Sequence, residues 1–153
     1  MKVLLVALFG SLGALSRYGI STAVGPRNFP YVTMGINVVG SFLLGVVLTL
    51  ASQRIRPDLA TGLAVGFLGA FTTFSTLSWD SFSMLKDGRP GAFLVNVVVS
   101  LTLGIGAASL GYLAADHFVD EEKGAVEVFH VFDESHPDQA FEVEHTPSGD
   151  VTD

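Results

Sequence analysis

The sequence predicts an all-α membrane protein with four transmembrane helices, the third of them broken, followed by an acidic tail. Three observations carry this. Of the 153 residues, 49% are hydrophobic and only 15% charged, where a soluble domain carries about a quarter; the mean hydropathy is +0.52. Four stretches reach the roughly 20 mostly apolar residues that a spanning helix needs: residues 3–24, 31–51, 59–85 and 92–115. The charge is also divided. Residues 1–115 hold seven bases and three acids (Asp58, Asp80, Asp87), a balance of +4, whereas residues 116–153 hold twelve acids and one base, Lys123, a balance of −11. The acidic character therefore belongs to the tail, and the body is weakly basic and apolar.

The first stretch begins MKVLLVALFG, in the manner of a signal peptide, but its apolar run continues to Val24 without a clear small-residue cleavage site. It is expected to be the first span. The connections GPRNFP (25–30), SQRIRPD (52–58) and KDGRPG (86–91) are short and rich in turn formers. Pro30, Pro57 and Pro90 each sit just before a span, where a missing N–H is harmless. Short loops make an up-and-down bundle. The third stretch carries GFLGAFTTFSTLS (66–78). Its glycines and hydroxyls suit a broken helix, which membrane depth tolerates only where protein or a watery cavity covers the freed backbone. The alternative is an unbroken helix whose hydroxyls bond back to their own carbonyls. The expected domains are 1–115, the transmembrane body, and 116–153. The latter reads as a solvated, mostly disordered extension, with a short hairpin over AVEVFHVFDE and AFEVEH as the alternative.

Orientation in a membrane follows the Lys and Arg of short loops. Four spans put the N-terminus, the second loop and the C-terminus on one side, with Lys2, Arg54 and Arg56; Arg27, Lys86 and Arg89 lie on the other. The counts tie at three each, and Lys123 and Arg17 add one to each side. A balanced chain has no strong reason to choose an orientation, which suggests a dual-topology, antiparallel dimer; chance balance is the alternative.

Thr33, Asn37 and Ser41 recur at i, i+4, i+8 and share one face of the second span. Asn96, Ser100 and Gly104 repeat that spacing in the fourth, and the third-span hydroxyls, Thr73 among them, surround Phe74. These groups either line a narrow path rich in N–H and O–H donors or serve as interhelical glue. Asn37 is the sharper signal, because a mid-span amide is costly. No acid lies deep in a span, Asp80 being the nearest case, so the donors suit an anion better than a cation. Arg17, near the far end of the first span, either attracts anions or snorkels. There is no cysteine, and the four histidines all lie in the tail at spacings that fit no metal motif. Neither an enzymatic activity nor a nucleic-acid partner is expected.

GALSRYG (13–19), TMGINVVGSFLLG (33–45) and above all GFLGAFTTFSTLSWD (66–80) resemble the signatures of the small Fluc-type fluoride channels, also known as CrcB or camphor-resistance proteins. The resemblance covers residues 3–115 and has no counterpart for the tail. It implies passive fluoride export across the cell membrane by an antiparallel dimer with two pores, formed with a second copy or with a paralogue. It implies fluoride-pore residues Asn37, Thr33, Phe74, Ser100, Thr73 and Arg17. It also implies a structural sodium ion at the dimer centre, held by the main-chain carbonyls of Gly69 and Thr72. One departure stands out: the family places a second phenylalanine three residues after the first, and here that position is Leu77. A drug-type antiporter of the same size would need a glutamate in the first span, which has no acid. A non-transporting membrane subunit remains as the third reading.

Overall fold

The structure is a computed structural model and describes residues 1–25, 27–51 and 54–134, with side chains described through Val119. Residues Met1–Val119 form one compact unit and Asp120–Asp153 a second. The first helix, α1, spans Lys2–Val24, and α2 spans Tyr31–Ala51. The third span is composite: α3 (Pro57–Thr61), a π-helical stretch (Gly62–Leu68), α4 (Gly69–Phe71) and, after an interruption at Thr72 and Thr73, α5 (Phe74–Lys86). The fourth helix, α6, runs Pro90–Glu134. Four segments are long and apolar enough to cross a membrane: Lys2–Val24, Tyr31–Ala51, Pro57–Lys86 and Pro90–Val119. No strand occurs among the described residues. Pro57 and Pro90 are the first residues of their helices, where the fixed φ of proline is already helical.

The order of the spans puts alternate loops together. Lys2 Nζ lies 3.7 Å from Asp58 Oδ1, joining the N-terminus to the second loop. At the opposite end Arg89 Nη2 donates to the carbonyl of Asn28 at 3.0 Å, joining the first loop to the third. Exposed contacts of this kind add little stability, but they report the up-and-down order of the spans.

Glycines let the backbones approach. A Cβ on Gly66 would come within 2.8 Å of the Val6 carbonyl oxygen, so the π-helical stretch lies directly on α1. The α2 and α6 backbones meet in the same way, Gly45 against the Ala108 carbonyl and Gly111 against that of Phe42. Small residues at such crossings give membrane helices the packing that hydrophobicity cannot supply in lipid.

Two results differ from the sequence reading. The third span carries a π-helical stretch that no local pattern announced. The backbone of residues 116–134 is helical, where a disordered extension or a hairpin was expected. The segment DEEKGAVEVFHVFDE holds no proline and several good helix formers. Residues 135–153, which carry the rest of the expected tail, lie outside the described residues.

Candidate functional site

The site is built around the break in the third span. Thr72 (φ −73°, ψ 157°) and Thr73 (φ −150°, ψ 109°) are extended, so α4 stops after Phe71 and α5 starts afresh at Phe74. A new helix start leaves orphan N–H groups. Thr73 caps it: its hydroxyl accepts from Thr76 N–H at 3.2 Å and also contacts Thr76 Oγ1 (2.9 Å) and Ser75 Oγ (3.2 Å). Hydroxyl side chains are preferred at this position because they supply that acceptor. The alternative reading, hydroxyls bonded back within one helix, survives only locally, at Thr72, whose Oγ1 donates to the Leu68 carbonyl at 2.9 Å.

The peptide of Thr73 is paired by α2. Thr73 N–H donates to Asn37 Oδ1 at 2.7 Å, and Asn37 Nδ2 donates to the Thr73 carbonyl at 3.1 Å. An amide presents one acceptor and two N–H donors, so this two-point clasp leaves Asn37 one N–H.

Two cavities meet at Thr73. The larger, about 430 Å³, is lined by Asn37, Ser41, Thr73, Phe74, Ser100 and Gly104 among others, and by both Gly69 and Thr72. The smaller, about 260 Å³, is lined by Arg17, Ser21, Thr33, Thr73 and Thr76 with apolar neighbours. All six sequence-nominated pore residues therefore border one cavity or the other, with Thr73 bordering both. Ser100 Oγ is buried without a hydrogen-bond partner among the described residues. Such a group is costly unless something else takes its bond, and here it borders the larger cavity.

Other nominated groups are committed elsewhere. The hydroxyl of Thr33 donates to Asp80 Oδ2 at 3.0 Å, an acceptor that sequence spacing could not reveal because the two lie on different spans. Asn96 is 0% exposed; its Nδ2 donates to Ser81 Oγ at 3.0 Å, while its Oδ1 has no partner among the described residues. It borders neither of the two cavities. The ring of Phe74 is 77% exposed, whereas Leu77, in the position of the absent second ring, is 7% exposed. Asp80, Thr76 and Ser81 were not nominated from sequence. The acid was visible as the sole carboxylate within a span, but its partner was not.

Comparison with known proteins agrees with this architecture. The family model for CrcB-like proteins (camphor resistance) matches residues 4–112. The chain is 41% identical over 122 residues to a fluoride-specific ion channel FluC of Geobacter metallireducens, covering 76% of this chain and 98% of that protein. It is 42% identical over 120 residues to the protein of that name from Solibacter usitatus, covering 75% and 98%. Against that of Geotalea daltonii it is 41% identical over 119 residues, covering 74% and 95%.

Proposed function

The chain belongs to the CrcB-like, camphor-resistance family, and from that premise we propose that it is a passive, fluoride-selective channel in the cell membrane. The observation that carries this reading is the pair of donor-lined cavities meeting at Thr73. Fluoride is small and strongly hydrated, so a pathway must replace its lost water with strong donors. Arg17 at the smaller cavity raises the local anion concentration. The Thr73 and Thr76 hydroxyls, the free N–H of Asn37 and the unpartnered hydroxyl of Ser100 then replace water in turn. The Phe74 ring contributes its electropositive edge. Asp80, which accepts from Thr33, stands near the end of its span, and α1, where a drug-type antiporter needs its proton-loading carboxylate, has no acid. Liposomes containing only the purified protein are expected to release fluoride rapidly down its gradient. Folded protein that leaves the liposomes fluoride-tight would overturn the reading.

The working unit in this reading is an antiparallel dual-topology dimer, with a second copy or a paralogue. Two features support it: the three-against-three tie of loop charges and the uncovered Phe74 ring, which a partner would cover. Adding two lysines within 52–58 should fix one orientation and abolish activity, and a partner biased through 86–91 should restore it. Full activity from the biased chain alone would refute the antiparallel pair.

A sodium ion fits the break. Helix ends carry orphan carbonyls, hard cations take oxygen ligands, and Gly69 and Thr72 both border the larger cavity. Their main-chain oxygens would hold the ion, which would supply positive charge close to the anion path.

A further inference from the structure

The third span gives up its main-chain hydrogen bonds across the break, and side chains collect two of the freed donors. In an uninterrupted α-helix each N–H bonds the carbonyl four residues back. Thr73 N–H would then point at Gly69 O, and Thr76 N–H at Thr72 O. Instead, Thr73 N–H goes to Asn37 Oδ1 at 2.7 Å and Thr76 N–H to Thr73 Oγ1 at 3.2 Å. The preceding donor behaves differently: Thr72 N–H keeps its helical acceptor, Leu68 O, at 3.0 Å. The interruption frees the carbonyls of Gly69 to Thr72 from their helical donors. The two donors that side chains retain, Thr73 N–H and Thr76 N–H, are those that would return to Gly69 O and Thr72 O, the two carbonyls that the sodium reading requires as ligands.

We propose that Asn37 is the positioning residue of the cation site, holding the Thr73 peptide so that its N–H cannot return to Gly69 and the Gly69 carbonyl stays free for the ion. The inference rests on the sodium reading above and adds how this chain keeps such a site open. Both ends of the Asn37 amide are engaged, since Oδ1 takes the N–H and Nδ2 takes the Thr73 carbonyl at 3.1 Å. The Thr73 hydroxyl performs the matching service for Thr72 by retaining Thr76 N–H. The role is distinct from donating to fluoride, for which Asn37 has only its remaining N–H. A single side chain on α2 thereby serves both the cation site and the anion path, although it touches the cation at neither end.

The test uses the full-length protein in detergent. Thermal unfolding is followed as sodium replaces N-methylglucamine, and amide hydrogen exchange is followed across residues 69–76 by mass spectrometry. The parent protein should gain melting temperature saturably with sodium. In Asn37→Ala the sodium concentration for half the gain should rise by about tenfold or more, the scale of one lost hydrogen bond, with faster exchange at Thr73. Asn37→Asp retains an acceptor for Thr73 N–H and adds a negative charge near the cation, so its half-maximal sodium concentration should be no higher than the parent's, even as its fluoride throughput collapses. Should Asn37→Ala fail to fold, Thr73→Val removes the second diverting acceptor and should weaken the sodium response likewise. A sodium-responsive parent alongside a folded Asn37→Ala with the same response and the same exchange would overturn the proposal alone. A parent indifferent to sodium would overturn the cation reading and this role together.

Discussion

The third span leaves regular α-helical geometry twice, and the two departures are resolved by different means. Over Gly62–Leu68 the turn widens to a π-helix, yet the backbone stays continuous: the Gly69 N–H still finds Ala64 O and Gly66 O. That stretch is supported by packing, with Gly66 pressed onto the α1 backbone at Val6. At Thr72 and Thr73 the helix stops. Two of its orphaned N–H groups, those of Thr73 and Thr76, are then taken by the amide of Asn37 and the hydroxyl of Thr73. A widened turn keeps its own hydrogen bonds and asks nothing polar of its neighbours. An interrupted one draws polar side chains to membrane depth, because a bare backbone group there costs several kcal/mol. Polar groups brought in for that reason are also within reach of an ion, and both cavities lie at the break.

The contrast between the two departures is tested most severely at Asn37. Asn37→Asp keeps the acceptor for Thr73 N–H but places an ionised carboxylate beside the path. At an effective dielectric near 20, a charge about 4 Å away repels an anion by about 4 kcal/mol. That corresponds to about a thousandfold loss of fluoride efflux per folded protein. Parent-rate efflux from well-folded Asn37→Asp would remove Asn37 from the path. In the π-helical stretch, Gly66→Val should act on folding instead. Overpacking of this kind costs about 1–3 kcal/mol, visible as lower melting temperature and yield of folded protein, with efflux per folded protein unchanged. A changed rate per folded protein would mean that the two departures are not separable. Phe74→Leu should cost about tenfold or less in efflux, since an aromatic edge contact is worth about 0.5–1.5 kcal/mol; a loss as large as that of Asn37→Asp would make the ring the principal barrier. The smallest effect is expected at the far end of α6. Removal of everything after Val119, which is itself buried at 1% exposure, should leave efflux and dimerisation intact. Loss of the dimer on that cut would assign the acidic segment an assembly role.

Much of the fold was legible because bilayer thickness imposes it. The spans at 3–24 and 31–51 differ from α1 and α2 by at most a terminal residue. The third and fourth start slightly earlier than expected, since Pro57 and Pro90 belong to the helices rather than to the loops. The break was readable from the density of hydroxyls in FTTFSTLS, residues that compete with helical hydrogen bonding. The way it closes was not, because Asn37 and Thr73 belong to different spans and periodicity reports only which residues share a face. The same limit hid the Thr33–Asp80 and Asn96–Ser81 bonds. Spacing placed Asn96 and Ser100 on one stripe, but only packing could reveal that Ser81 occupies the former and that the latter is left without a partner among the described residues. The π-helical stretch had no local signature at all; GLAVGFL reads as ordinary apolar helix.

The crossing of α2 and α6 bears on discrimination by size. Asn37 and Ser41 ride on one of these helices and Ser100 on the other, and a little further along the two main chains touch at Gly45 and Gly111. Where the two main chains meet at these glycines no side chain stands between them, so the spacing of Asn37 and Ser41 from Ser100 is set by backbone packing and changes only if the helices part as whole bodies.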